Sequence, residues 1–343
     1  MNERSFDLTR NDFEEEFIFE TGRPRGRRPM RRPVRRPVRR PRVRIPPRRP
    51  RPEPPASGGQ PAGEPAWASE PASTTPATGT VSRPCPQPAG TATDRCSSPQ
   101  PCRAIPDLQC VTQVLGIPFH YIEGNGRDAG TGLQRITKRQ EGRTQRMVPG
   151  AIAALEAFVR NARAFGLPFD TILTQGSLYC RCSLVKGKPS TALSNHSFGD
   201  AIDVAGVRWA ASGAPASRVR ETIVHNFRDP KQRALLRRLD ACLRLSFASV
   251  IDYHRTDHQD HFHCDTNQGR GRITLGATTL RFLQEALGLV LGRALRITGK
   301  LDAATRKALL DYSKRGQEIF KNDRQLNEVF DQLFRAVAAG RGA

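Results

Sequence analysis

Ser194-Asn195-His196-Ser197-Phe198-Gly199-Asp200-Ala201-Ile202-Asp203 is the stretch on which the fold turns, and its counterpart is His258-Gln259-Asp260-His261-Phe262-His263. Gly199 lets the chain turn after His196, because a residue without Cβ takes left-handed backbone angles at no steric cost. From Ala201 the side chains alternate as in a strand, with Ala201, Asp203 and Ala205 on one face and Ile202 and Val204 on the other. Asp203 then projects among small neighbours that leave room for an ion. In the second stretch the same alternation sets His261 and His263 on one face and turns Phe262 to the core. Six of the seven His lie between residues 196 and 263, a density unlike that of an ordinary core.

Zinc commonly takes neutral imidazole nitrogens and a carboxylate oxygen, and catalytic sites keep a fourth position open for water. His196, Asp203 and His263 supply that set, so the expected cofactor is Zn²⁺. The plainer alternative for Asp203 is a helix cap or an ion pair with an Arg. His254 and His258 read as surface residues, and His120 and His225 have no argued role. Asp257 and Asp265 either orient the imidazoles or are polar residues at strand ends.

Around these motifs the periodicity predicts a helix from Pro149 to Phe165, started by Pro149 and stopped by Gly166. Strands are expected at Thr171 to Gln175, Ala201 to Val207 and His261 to Asp265, with a β-rich run at Phe247 to Tyr253. Helical stretches are expected at Ala216 to Phe227 and Pro230 to Leu245. After Gly269 the pattern is wholly helical, at Thr278 to Leu291, Asp302 to Lys314 and Glu318 to Ala338. Strands and helices without a regular βαβ rhythm indicate an α+β fold. The expectation is a small antiparallel sheet with flanking helices around a zinc site, followed by a C-terminal three-helix bundle.

The N-terminal third has another character. Residues 21 to 52 hold 15 Arg and no acid, and residues 1 to 20 hold seven acids and two Arg, so about +12 of the net charge of +22 lies beyond Arg51. Repeated Arg-Arg-Pro units cannot build a core, since Pro removes donors and like charges repel. The expected division is a disordered Arg/Pro-rich tail and linker over residues 1–104, a metal-binding domain over 105–270 and a helical domain over 271–343. The charge suits an anionic partner. The tail lacks the interleaved aromatics that stack on bases, which argues against nucleic acid and leaves a generic polyanion contact.

Eight Cys, at 85, 96, 102, 110, 180, 182, 242 and 264, form an even set without CxxC pairs. That favours disulfides and an oxidising compartment. The acidic opening, with Asp12, Glu14, Glu15, Glu16 and Glu20, does not read as a secretory signal. No apolar run long enough to span a bilayer is present either.

Together, Ser177-Leu-Tyr-Cys180-Arg181, Leu193-Ser194-Asn-His196, Asp200-Ala-Ile-Asp203, Asp240-Ala-Cys242 and Asp257-His-Gln-Asp260-His-Phe-His263 resemble the bacterial extensin-like C-terminal family. Its broader pattern, Ser-x-His-x-x-Gly-x-Ala-x-Asp followed by His-x-His, is that of the D-Ala-D-Ala carboxypeptidase, peptidoglycan endopeptidase and hedgehog-like zinc fold. The resemblance spans roughly residues 105 to 267. It implies zinc ligands at His196, Asp203 and His263, and an Arg near the substrate or developing oxyanion at Arg181. Two residues compete as general base. His261 lies on the metal face if the strand is regular, whereas related peptidases place an acid three residues before the last ligand, as Asp260 stands to His263. The resemblance also implies that Cys180 pairs with Cys242; it assigns no partner to Cys264, for which Cys110 and Cys182 stay open.

Further on, Thr279-Leu-Arg-Phe-Leu-Gln284-Glu-Ala-Leu287-Gly288 and Leu295-Arg-Ile-Thr-Gly299-Lys-Leu-Asp302-Ala-Ala-Thr305-Arg306-Lys-Ala308-Leu309 resemble the three-helix peptidoglycan-binding domain. Asp302 would cap the second helix, and Leu287, Leu301, Ala308 and Leu309 would fill the core. The usual aromatic-Gln ending of that helix is replaced by Tyr312-Ser313. These resemblances imply a zinc peptidase, a carboxypeptidase or endopeptidase, whose partner is bacterial peptidoglycan; the chain is expected to be a monomer and to be extracellular, or periplasmic and associated with the cell wall. The alternative is a non-catalytic wall-binding protein that keeps the metal fold.

Overall fold

The computed structural model describes residues 79–86, 105–127, 134–185, 188–210, 220–267 and 275–341. The tail and nearly all of the linker expected over residues 1–104 lie outside the described residues. Twelve strands are seen among the described residues: β1 (Val81–Pro84), β2 (Gln109–Val114), β3 (Ile117–Arg127), β4 (Gln134–Gln140), β5 (Gln145–Met147), β6 (Phe169–Gly176), β7 (Cys182–Val185), β8 (Lys188–Leu193), β9 (Ala201–Trp209), β10 (Glu221–Ile223), β11 (Ser249–Ile251) and β12 (Phe262–Asp265). The α-helices are α1 (Pro149–Ala164), α2 (Pro230–Arg244), α3 (Ala277–Val290), α4 (Ala303–Ser313) and α5 (Asp323–Ala338).

The architecture is mixed α/β, and the sheet departs from the small antiparallel one expected. Ten strands join in the order β1-β2-β3-β6-β9-β12-β11, with β10 on β9, β4 on β3 and β5 on β2, while β7 and β8 pair separately. One central contact, β3 with β6, is parallel; helix α1 lies between those strands in sequence, the crossover that parallel neighbours need. The strands before Pro149, among them β3 with Ile117 and Phe119 buried, supply five of the ten and extend the sheet beyond the small one expected.

β9 holds the centre, paired antiparallel to both β6 and β12. Its alternation works as expected: Ile202 and Val204 join the main core with Phe262 and Cys264, while Ala205 sits across the sheet with Ile122, Leu173 and Ile223. Helix α1 follows its predicted span and buries Leu155, Phe158, Val159 and Ala162, with Phe158 stacked on Phe169 at 5.4 Å. Helix α2 is capped by Asp229, which accepts from Lys231 N–H at 3.1 Å. Between them the helix expected at 216–227 is absent in its described part: residues 221 to 226 form β10 and a short 3₁₀ turn. The β-branched run Thr222-Ile223-Val224 suits a strand on the free edge of β9.

The helical pattern after Gly269 is observed, except that Gln317–Phe320 is a 3₁₀ turn and α5 begins at Asp323 behind an Asn322 cap. Asp302 caps α4, its carboxylate accepting from Thr305 N–H at 2.8 Å. Gln284 is fully buried, its amide bonding Thr298, Gly299, Lys300 and Thr305 and so clamping the turn before α4. The described residues form one compact unit, in which α5 packs on α2 and α3. The largest buried side chains include Phe282, Phe330 and Phe334 from these helices.

The cysteine pairing differs from expectation. Cys85 bonds Cys110, and Cys180 and Cys182 are both disulfide-bonded, whereas Cys242 and Cys264 are buried free thiols. The Cys180–Cys242 bond is therefore not formed, and Cys264 pairs with neither Cys110 nor Cys182. The reason is facial: Cys242 on α2 and Cys264 on β12 point into the apolar core, where burial pushes the Cys242 thiol up to about 12 and Cys264 well above its usual value. No described helix is long and apolar enough to cross a membrane.

Candidate metal centre

His196 lies in a 3₁₀ turn, Asn195–Phe198, which Gly199 ends in the left-handed conformation at φ 66°. A Cβ on Gly199 would come within 2.9 Å of Leu108, so both backbone angle and space call for glycine. Ser197 ties the turn down: its Oγ accepts Arg181 N–H at 3.0 Å and lies 2.9 and 2.8 Å from the carbonyl oxygens of Tyr179 and Arg181. Asp203 is the third residue of β9, and the antiparallel register sets His263 of β12 directly opposite it.

That register brings three donor atoms together. His196 Nε2 is 3.1 Å from Asp203 Oδ1 and 3.0 Å from His263 Nδ1, and His263 Nδ1 is 3.2 Å from Asp203 Oδ1. All three residues are buried. A tetrahedral ion with bonds of about 2.0–2.1 Å separates neighbouring ligand atoms by roughly 3.3 Å, so the triangle has the size of one face of a zinc coordination sphere.

The remaining ring nitrogens are committed elsewhere. His196 Nδ1–H donates to the Ser177 carbonyl at 2.6 Å, which leaves a lone pair on Nε2. His263 Nε2 lies 3.2 Å from Asp265 Oδ2, which leaves Nδ1 to face the centre. Of the two carboxylates left open in the sequence, Asp265 thus contacts an imidazole of the set, whereas Asp257 pairs with Arg255 and His258.

Burial works against charge on every member. It lowers His196; it also opposes ionisation of Asp203, but the imidazoles of His196, His263 and His261 outweigh it and hold that carboxyl well below its usual range. For His263 burial is overcome by Asp203 and Asp265, which raise it to about 9. Without a cation the site therefore keeps a proton on His263, one that a metal must displace.

The other expected residues surround this triangle. His261 Nε2 is 3.5 Å from Asp203 Oδ1, and His261 Nδ1 is 2.8 Å from Asp260 Oδ1. Asp260 Oδ2 accepts from Gln175 Nε2 at 3.2 Å. Burial would raise Asp260, but the bonds from His261 and Gln175 bring it down to about 2. Arg181 is exposed, with its guanidinium 5.4 Å from the centre of the Tyr179 ring, and has no carboxylate within ion-pair distance among the described residues. Tyr179 in turn presents its edge to His196 at 5.1 Å between ring centres and hydrogen-bonds the Gln175 carbonyl. Burial, then the Asp203 charge, push its phenol up to about 12.

Two histidines read as surface residues are placed otherwise. His258 is half-buried, its ring 4.9 Å from that of His261 and 5.9 Å from that of His263, with Nδ1 2.9 Å from Asp257 Oδ1. Burial and the neighbouring imidazoles lower it to about 4, so it is neutral. The His-x-x-His spacing carried the signal, because a 3₁₀ turn at Thr256–His258 brings residue 258 back toward 261. His254 is held between Asp252 and Glu285, at 3.1 and 3.3 Å.

A family model described as "Extensin-like protein C-terminus" matches residues 151–275. The matched segment runs from α1 through β12, about a third of the chain, and contains every residue of the centre. No curated protein and no solved structure matches the chain.

Proposed function

We propose that the domain around this centre is a zinc-dependent peptidase that hydrolyses D-amino-acid-containing peptide bonds of bacterial peptidoglycan, as a carboxypeptidase or endopeptidase. The observation that carries the reading is the His196–Asp203–His263 triangle, three donors within 3.2 Å with the outer nitrogens bonded away from it. The extensin-like match over the same residues supports it. Held by His196, Asp203 and His263, Zn²⁺ would supply Lewis acidity to polarise a peptide carbonyl.

The chain's own groups do the rest. Asp260 keeps the His261 proton on Nδ1, so that Nε2, on the side of Asp203, accepts the proton of the attacking water. That favours His261 as base and Asp260 as its orienting carboxylate, since a carboxyl at about 2 is a poor proton acceptor near neutral pH. Arg181, an exposed fixed charge above Tyr179, is read as the donor toward the oxyanion or a substrate carboxylate. The three C-terminal helices are read as the wall-attachment unit, with contacts made by exposed residues, because Gln284 spends its amide inside. The disulfide-bonded Cys85, Cys110, Cys180 and Cys182 favour an oxidising compartment outside the cytoplasm.

The test pairs metal analysis with mass spectrometry of digested muropeptides. About one zinc per chain is expected, together with release of shortened or uncrosslinked stem peptides, and both are lost in His263→Ala. Full hydrolysis by a metal-stripped sample would end the reading. Wall binding without any released muropeptide at high protein concentration would leave a non-catalytic wall-binding protein.

A further inference from the structure

The chain from Asp252 to His261, between β11 and β12, carries His258, Asp260 and His261, and its two ends are tied to different elements. At the far end Gln175 of β6 holds Asp260. At the near end the ties come from α3, a helix that lies wholly beyond the matched residues 151–275. Arg281 Nη1 donates to the His254 carbonyl at 2.7 Å. Glu285 Oε2 accepts from Tyr253 Oη at 3.3 Å and lies 3.3 Å from His254 Nε2, an ion-pair distance without hydrogen-bond alignment.

Each tie is backed by a second rank of charges. Glu285 is fixed by Arg233 and Arg237 of α2 at 2.8 and 2.7 Å. Asp252, with no exposed side chain, accepts from Arg244 at 2.8 Å, and Arg244 also reaches Asp240 and α3 Thr279. These pairs hold Glu285 down at about 2 and His254 up at about 9, each against the effect of burial. Buried ion pairs add little net stability compared with apolar replacements, because desolvation offsets attraction. What such a network supplies is direction: each partner has one place where its charge is satisfied.

We propose that Glu285 and Arg281 are positioning residues for the metal centre, locking the Tyr253–His254 end of the loop so that His258 and His261 face Asp203 and His263. The C-terminal helices then have a task at the hydrolytic site in addition to any wall attachment. The kinetic arm rests on the peptidase reading, whereas the structural arm does not.

The test uses the full chain carrying Glu285→Gln or Arg281→Met, with Arg281→Lys as the conservative control. Amide hydrogen exchange over residues 254–261 should quicken tenfold or more in the first two variants and stay within threefold of wild type in the third. Binding of Co²⁺ alone, followed by its visible d–d bands, should change less than threefold, because His196, Asp203 and His263 stand on other supports. On muropeptide substrate kcat should fall about tenfold with KM within twofold, and Arg281→Lys should restore most of it. Unchanged exchange over 254–261 in both variants would overturn the proposal, as would a rise spread evenly through α2, α3 and β12, which would report general loosening. Should Glu285→Gln not fold, the half-exposed Arg281 decides alone. A wild-type chain without hydrolysis but with the expected exchange pattern would keep the lock and end the peptidase reading.

Discussion

Replacing Asp265 by Ala removes the acceptor from His263 Nε2, 3.2 Å away, and leaves His196, Asp203 and His263 themselves in the chain. The imidazole then loses both its fixed tautomer and its orientation. Loss of such a partner typically costs 10–100-fold in metal affinity, or roughly 1.4–2.7 kcal/mol at about 1.4 kcal/mol per decade. A second effect opposes it. Asp203 and Asp265 raise His263 to about 9, so at pH 7 a metal must displace a proton, costing wild type up to about two decades of affinity. Removing Asp265 relieves part of that competition, and the two effects partly cancel near neutrality. The measurement therefore belongs at both pH 7 and pH 9, by competition of Zn²⁺ against a chromophoric chelator. Wild-type affinity should rise by about a decade per pH unit up to about 9 and then level off. Asp265→Ala should lie 10–100-fold below wild type at pH 9 and closer to it at pH 7. Asp265→Asn, whose amide oxygen still accepts, should lose less than tenfold. Equal affinities of Asp265→Ala and wild type at pH 9, in a variant that still unfolds cooperatively, would refute the assignment of His263 Nδ1 as a ligand.

Three further outcomes are expected. His261→Ala should lower kcat by about 100-fold or more and Asp260→Asn by about tenfold, zinc content being unchanged in both; a larger loss in the Asp260 variant would reverse their roles. His254, which burial would lower but Asp252 and Glu285 raise from 6.5 to about 9, contributes stability that is complete below about pH 6.5 and disappears as pH rises through 9, on the order of 3 kcal/mol. Urea denaturation of wild type and His254→Gln should show a gap that narrows between those pH values, and parallel curves would contradict the ion-pair geometry. Iodoacetamide should label Cys242 and Cys264 only in denaturant, because both thiols are buried, and mild reduction of Cys85–Cys110, separated by 25 residues, should cost about 3 kcal/mol. Rapid labelling of Cys242 in the folded chain would show that α2 is not seated as described.

Local physics was legible in the linear chain wherever one element settles it. Alternation in β9 and β12, the turn at Gly199, the start of α1 at Pro149 and the Asp302 cap of α4 each depend on residues within a few positions of one another. The candidate donor set was legible in part, since His196 and Asp203 flank one turn, but alternation puts His261 and His263 on the same strand face, and the choice of His263 came with the family resemblance. Spacing alone could not separate Asp260 from His261. The difference proposed for them rests on the bond between His261 Nδ1 and Asp260, and on Gln175 from a strand far away in sequence, which together hold Asp260 down at about 2.

What the tertiary structure decided is everything that needs a partner from another element. The register that sets His263 opposite Asp203, the parallel contact of β3 with β6, the inward turn of His258 and the capture of His254 by Glu285 are of this kind. So are the cysteines: Cys242 and Cys264 are thiols because their helix and strand point them into the core, a direction that spacing does not encode. By itself the sequence determined which residues could hold an ion and on which faces they lie, because side-chain periodicity is a property of each strand alone. Distances between those faces depend on how separate strands and helices pack, and only the folded chain sets them.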